Sequence, residues 1–149
     1  MNETIRESLQ IEEISVEGYK KVLKIEDRQT GLRSIICIHS TDLGPALGGT
    51  RIYPYANWDL ALTDVLRLAK GMTYKSAVAG VGLGGGKSVI ISDLKEKSRE
   101  KFQVFAEVIN SLEGEYTTAE DVGCSLEDAT WIAQHTPYVV GIKHEKSSG

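Results

Sequence analysis

The stretch from Lys70 to Ile91, KGMTYKSAVAGVGLGGGKSVII, decides the fold and carries the strongest functional signal in the chain. It predicts a helix that carries Lys70 and ends near Lys75, then a glycine-rich loop, then an apolar strand from Lys87. Glycines give up backbone order and side-chain packing, which favours a site where a ligand approaches the main chain. Such a loop brings Lys75 and Lys87 together, as a small carboxylate and a reacting carbon require. The glycines of the loop are Gly80, Gly82, Gly84, Gly85 and Gly86.

Two predicted strands precede this stretch, over 18–26 and 32–40, joined by a hairpin-like turn. The second is apolar from Ile35 to Ile38, which indicates burial on both faces of a sheet. A glycine-containing loop follows, and Asn57 is the predicted N-cap of the helix that leads to Lys75. A short helix over 3–9 is predicted to open the chain.

Further strands and helices alternate after Ile91. Ser98 is the predicted N-cap of one helix, and Ser125 with Asp128 resembles a capping box for a helix over 126–135. Short strands are predicted over 115–119 and 138–141. Strands that alternate with helices indicate an α/β fold, a three-layer α/β/α sandwich with a mostly parallel or mixed sheet.

Composition excludes several classes of function. The chain has 149 residues, 41% hydrophobic and 26% charged, as expected for one globular domain. A net charge of −4 argues against nucleic acid as the main partner, and the sequence contains no apolar run long enough for a membrane span. The two cysteines form no CxxC pair and the histidines share no ligand spacing, so we expect a cytoplasmic protein without a metal site, with Cys37 buried.

The glycine run also matches two nucleotide-binding motifs incompletely. Gly80, Gly82 and Gly85 satisfy GxGxxG, but the dinucleotide fingerprint follows a strand and opens a helix, and here a strand follows. The end of a P-loop is imitated by GKS at 86–88, but that motif requires glycine at position 81, which is Val81. Neither motif is therefore favoured.

Three charged residues remain open to two interpretations each. Lys87 is either a solvated lysine at a strand edge or a lysine in a cleft, where desolvation and nearby cations favour a neutral amine that acts as a base. Lys75 either complements the dipole at a helix end or pairs with a substrate carboxylate. Asp121, in the sequence AEDVG, is either a turn residue or a catalytic carboxylate.

Four strings together resemble the Glu/Leu/Phe/Val dehydrogenase family, most closely its leucine dehydrogenase branch. They are GPALGGTR at 44–51, RLAKGMTYKSA at 67–77, GLGGGKSVII at 82–91 and TAEDVG at 118–123, in the order and spacing of the family. The resemblance extends loosely over almost the whole chain.

This resemblance implies an oxidoreductase that interconverts an apolar L-amino acid, most plausibly leucine or another branched-chain one, with its 2-oxo acid and ammonia, using NAD or NADP. It implies that residues 1–149 are a substrate-binding and oligomerisation domain of a homo-oligomer. The C-terminal Rossmann domain, which holds the cofactor, is then absent from this chain, and the fragment alone would be inactive. The alternative is a non-catalytic module that binds amino acids or assembles subunits.

The resemblance also implies roles for the three charged residues. Lys75 matches the lysine that binds the substrate α-carboxylate. Lys87 matches the catalytic lysine, which activates the water that attacks the imino carbon. Asp121 matches the acidic residue that shuttles protons to and from the amine. One cation for orientation, one amine as base and one carboxylate for the ammonium form a sensible set.

The substrate pocket is expected around four further residues. Gly48 and Gly49 match positions where the backbone approaches the substrate, and Leu47 and Met72 match side-chain pocket positions. Glutamate-specific relatives carry a lysine at the position of Leu47. An apolar residue there favours an aliphatic or aromatic substrate, because a glutamate carboxylate would be buried without a partner.

Overall fold

A computed structural model describes residues 7–142 of the chain. In this range seven strands form one sheet, with helices on both of its faces. The strands are β1 (Leu9–Ile14), β2 (Lys21–Asp27), β3 (Arg33–Ser40), β4 (Ala46–Leu47), β5 (Thr50–Tyr53), β6 (Gly84–Ile91) and β7 (Tyr116–Thr117). The helices are α1 (Trp58–Ala79), α2 (Arg99–Ser111) and α3 (Leu126–Ala133).

The sheet is mixed and centres on β6. The order β1-β2-β3-β6 is antiparallel throughout, and β1, β2 and β3 form a meander. On its other side β6 pairs in parallel with two short strands, with β4 at Gly84 and Gly85 and with β5 from Ser88 to Ile91. The strand β7 lies parallel to β4 at the edge. The mixed sheet predicted from the sequence is confirmed.

Two apolar clusters on opposite faces of the sheet establish the three layers. Alternate residues of one strand point to opposite faces, so neighbours in β3 belong to different clusters. The cluster under α1 contains Val22, Ile35, Cys37, Ala61, Val65, Ala69, Val89 and Ile91. The cluster under α2 and α3 includes Ile36, Ile38, Ile90, Phe105, Ile109 and Ile132. The predicted α/β/α sandwich and the buried Cys37 are therefore confirmed.

The predicted helix starts are also confirmed. The Asn57 side chain accepts a hydrogen bond from the Leu60 amide at the start of α1, and Ser98 does the same for Lys101 in α2. At the start of α3, Ser125 and Asp128 form a full capping box, with a hydrogen bond in each direction. Side-chain acceptors satisfy amides that have no partner within the helix.

The glycine run differs most from the prediction. Helix α1 passes Lys75 and ends at Ala79, where Gly80 caps it in the left-handed conformation at φ 67°. Only Gly80 and Gly82 lie in a connection, because Gly84, Gly85 and Gly86 are buried in β6. A strand of three successive glycines has no side-chain pattern by which a sequence could reveal it.

The strand predicted over 115–119 is confirmed as β7, but other short strands were missed. Of the helix predicted over 3–9, Glu7 and Ser8 are helical, Leu9 already begins β1, and residues 3–6 lie outside the described range, as does His144. The strands β4 and β5 lie in a segment predicted to be a loop, and the predicted strand over 138–141 is reduced to one bridge between Thr118 and Val139. None of the helices between residues 7 and 142 is long and apolar enough to cross a membrane.

Candidate active site

The side chain of Lys87 points to the α1 face of the sheet. It alternates with Ser88 in β6 and shares its face with Val89 and Ile91, which pack on α1. Only 8% of the side chain is exposed. An interpretation as a solvated lysine at a strand edge is therefore wrong, because β6 is central and the ammonium is buried.

The backbone after β7 places Asp121 beside Lys87. This segment runs along β5, where the Thr50 amide donates to the Ala119 carbonyl and the Ile52 amide donates to the Val122 carbonyl. Gly123 follows at φ 77°, and a Cβ there would lie 1.9 Å from the Ile52 carbonyl oxygen. The tight turn after Asp121 thus needs glycine both for its conformation and for its space.

Lys87, Asp121 and Arg51 form a compact charged group. Lys87 Nζ lies 2.9 Å from Asp121 Oδ2, and Arg51 Nε lies 3.4 Å from the same oxygen. Both Arg51 Nε and Asp121 Oδ2 are buried, and neither has a hydrogen-bond partner of regular geometry, so these contacts are ionic. The cation expected near Lys87 is present, but it shares a carboxylate with the lysine.

Opposing effects act on the Asp121 carboxyl. Burial alone would raise its pKa, but the contact with Lys87, the Val122 amide and the charge of Arg51 outweigh burial and lower the pKa below its usual value. Asp121 is therefore an ionised carboxylate at neutral pH in this state. It is placed to accept a proton and is held next to the amine that would exchange one.

Glycines of the site make room for other parts of the protein. A Cβ at Gly48 would lie 1.6 Å from the Gly86 carbonyl oxygen, and one at Gly49 would lie 2.9 Å from Asp121 Cβ. A Cβ at Gly85 would lie 2.1 Å from the Thr73 amide nitrogen. These contacts give Gly48 and Gly49 a structural explanation, and their approach to a substrate stays a prediction.

Helix α1 brings Met72 and Lys75 to the same end of β6. Met72 is half-buried, and its Cγ would lie 3.3 Å from a Cβ at Gly48. Leu47 is also half-buried, in β4 next to Gly48. Lys75 lies about one helical turn beyond Met72 and is exposed, and between residues 7 and 142 it makes no ion pair.

The interpretation of Lys75 as a helix-end cation is wrong, because the last turn of α1 contains no basic residue. Within residues 7–142 no carboxylate pairs with its ammonium, and its binding to a substrate carboxylate stays a prediction.

A second polar cluster lies on the opposite face of β6. The Tyr116 hydroxyl donates to the Gly48 carbonyl at 2.5 Å, and Ser88 Oγ lies 2.9 Å from it. Thr50 Oγ1 lies 2.8 Å from Ser88 Oγ and 2.6 Å from Thr118 Oγ1. All four side chains are buried, so the cluster holds β4, β5, β6 and β7 together.

The glycine run does not form a dinucleotide site. Gly80 caps a helix, Gly82 lies in the connection, and Gly85 is in a strand against Thr73, so no helix begins there to receive a pyrophosphate. The incomplete match is confirmed as coincidental. No cluster of possible metal ligands is present in residues 7–142.

Sequence reasoning missed the residues that support Asp121. Arg51 lies 3.4 Å from Asp64 Oδ2 on α1, and the same carboxylate accepts a 2.5 Å hydrogen bond from Tyr55 and a 2.7 Å one from Arg67. One available signal was an arginine two positions after Gly49, alternating in β5 with the buried Thr50 and Ile52. Arg67, interpreted as solvated, is mostly exposed.

The family model described as Glu/Leu/Phe/Val dehydrogenase, dimerisation domain, matches residues 19–138. This chain belongs to the Glu/Leu/Phe/Val dehydrogenase family. It is 54% identical over 125 residues to leucine dehydrogenase of Bacillus subtilis, covering 83% of this chain and 34% of that protein. Phenylalanine dehydrogenase of Caldalkalibacillus thermarum is 47% identical over 131 residues, which is 87% of this chain and 35% of the relative.

A solved structure of the family agrees with the fold. The crystal structure of L-tryptophan dehydrogenase from Nostoc punctiforme superimposes with a TM-score of 0.80 at 41% identity, over 92% of this chain and 38% of that one. The chain thus spans about a third of the length of these dehydrogenases. Their names cover leucine, phenylalanine and tryptophan, so membership fixes the class, an amino acid dehydrogenase domain, and leaves the amino acid open.

Proposed function

We propose that this chain is the substrate-binding and assembly domain of an NAD(P)-dependent dehydrogenase that reversibly deaminates an apolar L-amino acid. The preferred substrate is leucine or another branched-chain amino acid. The observation that carries the proposal is the buried pair of Lys87 and Asp121 at 2.9 Å on the central strand. A buried charge pair with irregular hydrogen bonding adds little to stability and is typical of a reaction site.

The three charged groups divide the work on the substrate. Lys75, exposed and without an ion pair within residues 7–142, binds the α-carboxylate. Lys87 accepts a proton from the water that attacks the imino carbon and passes it to the Asp121 carboxylate, and Asp121 then gives that proton to the departing nitrogen. At 2.9 Å the two side chains can also exchange a proton directly.

When bound, the dinucleotide would supply the chemistry that these residues lack, by accepting a hydride from the substrate α-carbon.

Apolar specificity follows from Leu47 and Met72. Both are half-buried, Leu47 precedes Gly48 in β4, and Met72 Cγ would lie 3.3 Å from a Cβ at Gly48, which supports a shared apolar wall. A glutamate side chain there would lose its hydration without gaining a cation, which disfavours acidic substrates. An aliphatic side chain fits such a wall without loss of polar contacts.

The test uses the complete protein from the gene that encodes this chain. Purified enzyme is assayed by the absorbance of the reduced dinucleotide, with NAD⁺ and NADP⁺ and a panel of L-leucine, L-valine, L-isoleucine, L-phenylalanine, L-tryptophan and L-glutamate. Lys87→Ala is compared with Lys95→Ala, which removes an exposed lysine in the turn after β6. Substrate binding is measured in parallel by calorimetry.

We expect turnover with branched-chain amino acids and little with glutamate. Lys87→Ala lowers kcat by about 10³-fold, within the range for loss of a general base, and still binds substrate. Lys95→Ala behaves as wild type. Normal turnover by Lys87→Ala, or no turnover of any amino acid by wild type, would refute the proposal.

Assembly is tested separately by analytical ultracentrifugation of the same protein. The family description names a dimerisation domain, so we expect a homo-oligomer at micromolar concentration. A monomer at all concentrations contradicts the assembly role and leaves the catalytic one standing.

A further inference from the structure

Arg51 lies between two carboxylates that belong to different layers. Its Nε is 3.4 Å from Asp121 Oδ2, beside Lys87, and its Nη1 is 3.4 Å from Asp64 Oδ2 on α1. The side chain is 22% exposed, so both contacts are largely screened from water. Arg51 therefore links the candidate reaction site to the helix that covers it.

The Asp64 end of this bridge is fixed. The Tyr55 hydroxyl donates to Asp64 Oδ2 at 2.5 Å, and Arg67 Nη2 donates to Oδ1 at 2.7 Å. Burial alone would raise the pKa of Asp64, but Tyr55, Arg67 and Arg51 lower it below its usual value. An ionised Asp64 with these partners holds the guanidinium of Arg51 in place.

At the Asp121 end of the bridge, the contact with Arg51 is not a complete hydrogen bond. Three buried side-chain polar atoms within residues 7–142 lack a hydrogen bond, and two of them are Arg51 Nε and Asp121 Oδ2. They face each other at 3.4 Å, about half an ångström beyond an ordinary N–H···O bond. A small movement of the carboxylate would complete that bond.

Such a movement has a cause in the proposed reaction. When Lys87 turns from Asp121 to the substrate, the carboxylate loses its nearer cation, and a buried charge without a partner is costly. Arg51 is the other cation within reach and is already anchored by Asp64.

We propose that Arg51 is a positioning residue that takes over the Asp121 carboxylate from Lys87 while Lys87 engages the substrate. This rests on the proposed function. Arg51 itself touches no reacting atom in this scheme. It keeps Asp121 ionised and aimed, so that Asp121 can accept the proton that it then delivers to the nitrogen.

Other groups around Asp121 must be included when its titration is interpreted. They are Lys87 on β6, Arg51 on β5 and Asp64 on α1, with Tyr55, Glu120 and Cys124 acting at longer range. The first two are the cations in contact with the carboxylate. Removing Lys87 therefore isolates the effect of Arg51.

The first experiment measures Asp121 directly and needs no activity. In the complete protein with ¹³C-labelled aspartate, the Asp121 carboxyl is titrated by NMR in Lys87→Met and in Lys87→Met/Arg51→Met. We expect the Asp121 midpoint to rise clearly when Arg51 is also removed, and Arg51→Lys to restore it in part, since lysine keeps the charge and loses the planar fork. An unchanged midpoint overturns the proposal.

The second experiment follows kcat, KM and the pH profile of the folded variants. Arg51→Met should lower kcat about tenfold or more with little change in KM and move the acidic limb of kcat to higher pH, and Arg51→Lys should recover part of both. The control is Arg33→Met, another strand arginine, which is exposed. If the wild type is active and the acidic limb of kcat does not move in either Arg51 variant, the proposed role of Arg51 is overturned and the proposed function is not. A wild type inactive on every amino acid refutes the proposed function, and the NMR titration still decides whether Arg51 holds Asp121.

Discussion

The two faces of β6 carry polar clusters of opposite character. Lys87 faces α1 and meets charged partners, whereas its neighbour Ser88 faces the other way and meets neutral hydroxyls. On the hydroxyl face Thr50, Ser88, Tyr116 and Thr118 are buried, and each has at least one partner at 3.1 Å or less. On the charged face, Asp121 Oδ2 and Arg51 Nε lack regular hydrogen bonds.

This difference separates a structural cluster from a reaction site. Satisfied buried hydroxyls fix the backbone and leave no group free to react. Charges in close but irregular contact add little to stability, and their partners can be exchanged during a reaction. In β6, Ser88 thus belongs to a cluster that stabilises the backbone, whereas the adjacent Lys87 belongs to a site whose contacts can change.

The largest effect is expected when the charged pair is removed as a unit. The double variant Lys87→Met/Asp121→Asn should lower kcat/KM of the complete enzyme by about 10³-fold or more, since both proton-transfer groups are lost. Its free energy of unfolding, from urea titration, should stay within about 1 kcal/mol of wild type or rise, because apolar replacement of buried pairs is often neutral or stabilising. A destabilised variant with normal kcat/KM would reverse the roles of the two faces.

Glycine-to-alanine substitutions in β6 test how closely each face of the strand is packed. Gly85→Ala places a Cβ 2.1 Å from the Thr73 amide nitrogen, whereas Gly86→Ala meets the Tyr116 ring at 2.9 Å and the Cys37 carbonyl at 3.0 Å. We expect Gly85→Ala to cost about 3 kcal/mol or more in unfolding free energy and Gly86→Ala about 1–2 kcal/mol, as overpacking does elsewhere. Equal losses would mean that α1 is not seated as closely on β6 as the structure shows.

Removal of one hydroxyl tests the structural face. Tyr116→Phe leaves the buried Gly48 carbonyl without its side-chain donor, so unfolding free energy should fall by about 1–3 kcal/mol. Tyr74→Phe, at an exposed position, should change it by less than about 0.5 kcal/mol. A Tyr116→Phe enzyme with normal stability and strongly reduced kcat would assign the hydroxyl face a part in the reaction.

The smallest effect concerns acid stability. The pKa of Asp121 is lowered in the folded state, so the unfolded chain takes up its proton first as the pH falls. The stability from Asp121 is therefore present above its ordinary value of 3.8 and is lost as the pH falls through the lowered folded pKa. Asp121→Asn should flatten the decline of unfolding free energy in this window, whereas Asp42→Asn, in the turn between β3 and β4 and without an ion pair in the described range, should not.

Local chemistry made parts of the fold predictable. The caps Asn57, Ser98 and Ser125 marked helix starts correctly, because a short polar side chain before an apolar period has one common use. The apolar run in β3 indicated a central strand, because a strand buried on both faces is apolar at successive positions. In each case the signal lay within a few residues.

Other parts depend on distant partners and escaped prediction. The glycines of β6 leave space for Thr73, Cys37 and Tyr116, which are distant in the sequence. No residue next to the glycines therefore indicates that they form a strand. From the residues alone Lys87 was open between two roles and a structural role was favoured for Asp121, so the family resemblance decided both predictions. Arg51 was missed because its two carboxylates lie 13 and 70 positions along the chain.

The most direct test is a crystal structure of the complete enzyme with 4-methyl-2-oxopentanoate, the 2-oxo acid of leucine. The account predicts the keto oxygen within hydrogen-bonding distance of Lys87 Nζ, the carboxylate at Lys75 and the alkyl chain against Leu47 and Met72. The contradicting result would be an undisturbed pair of Lys87 and Asp121, with the ligand elsewhere. The groove of about 520 Å³ that Tyr19, His39 and Thr73 line is such a place.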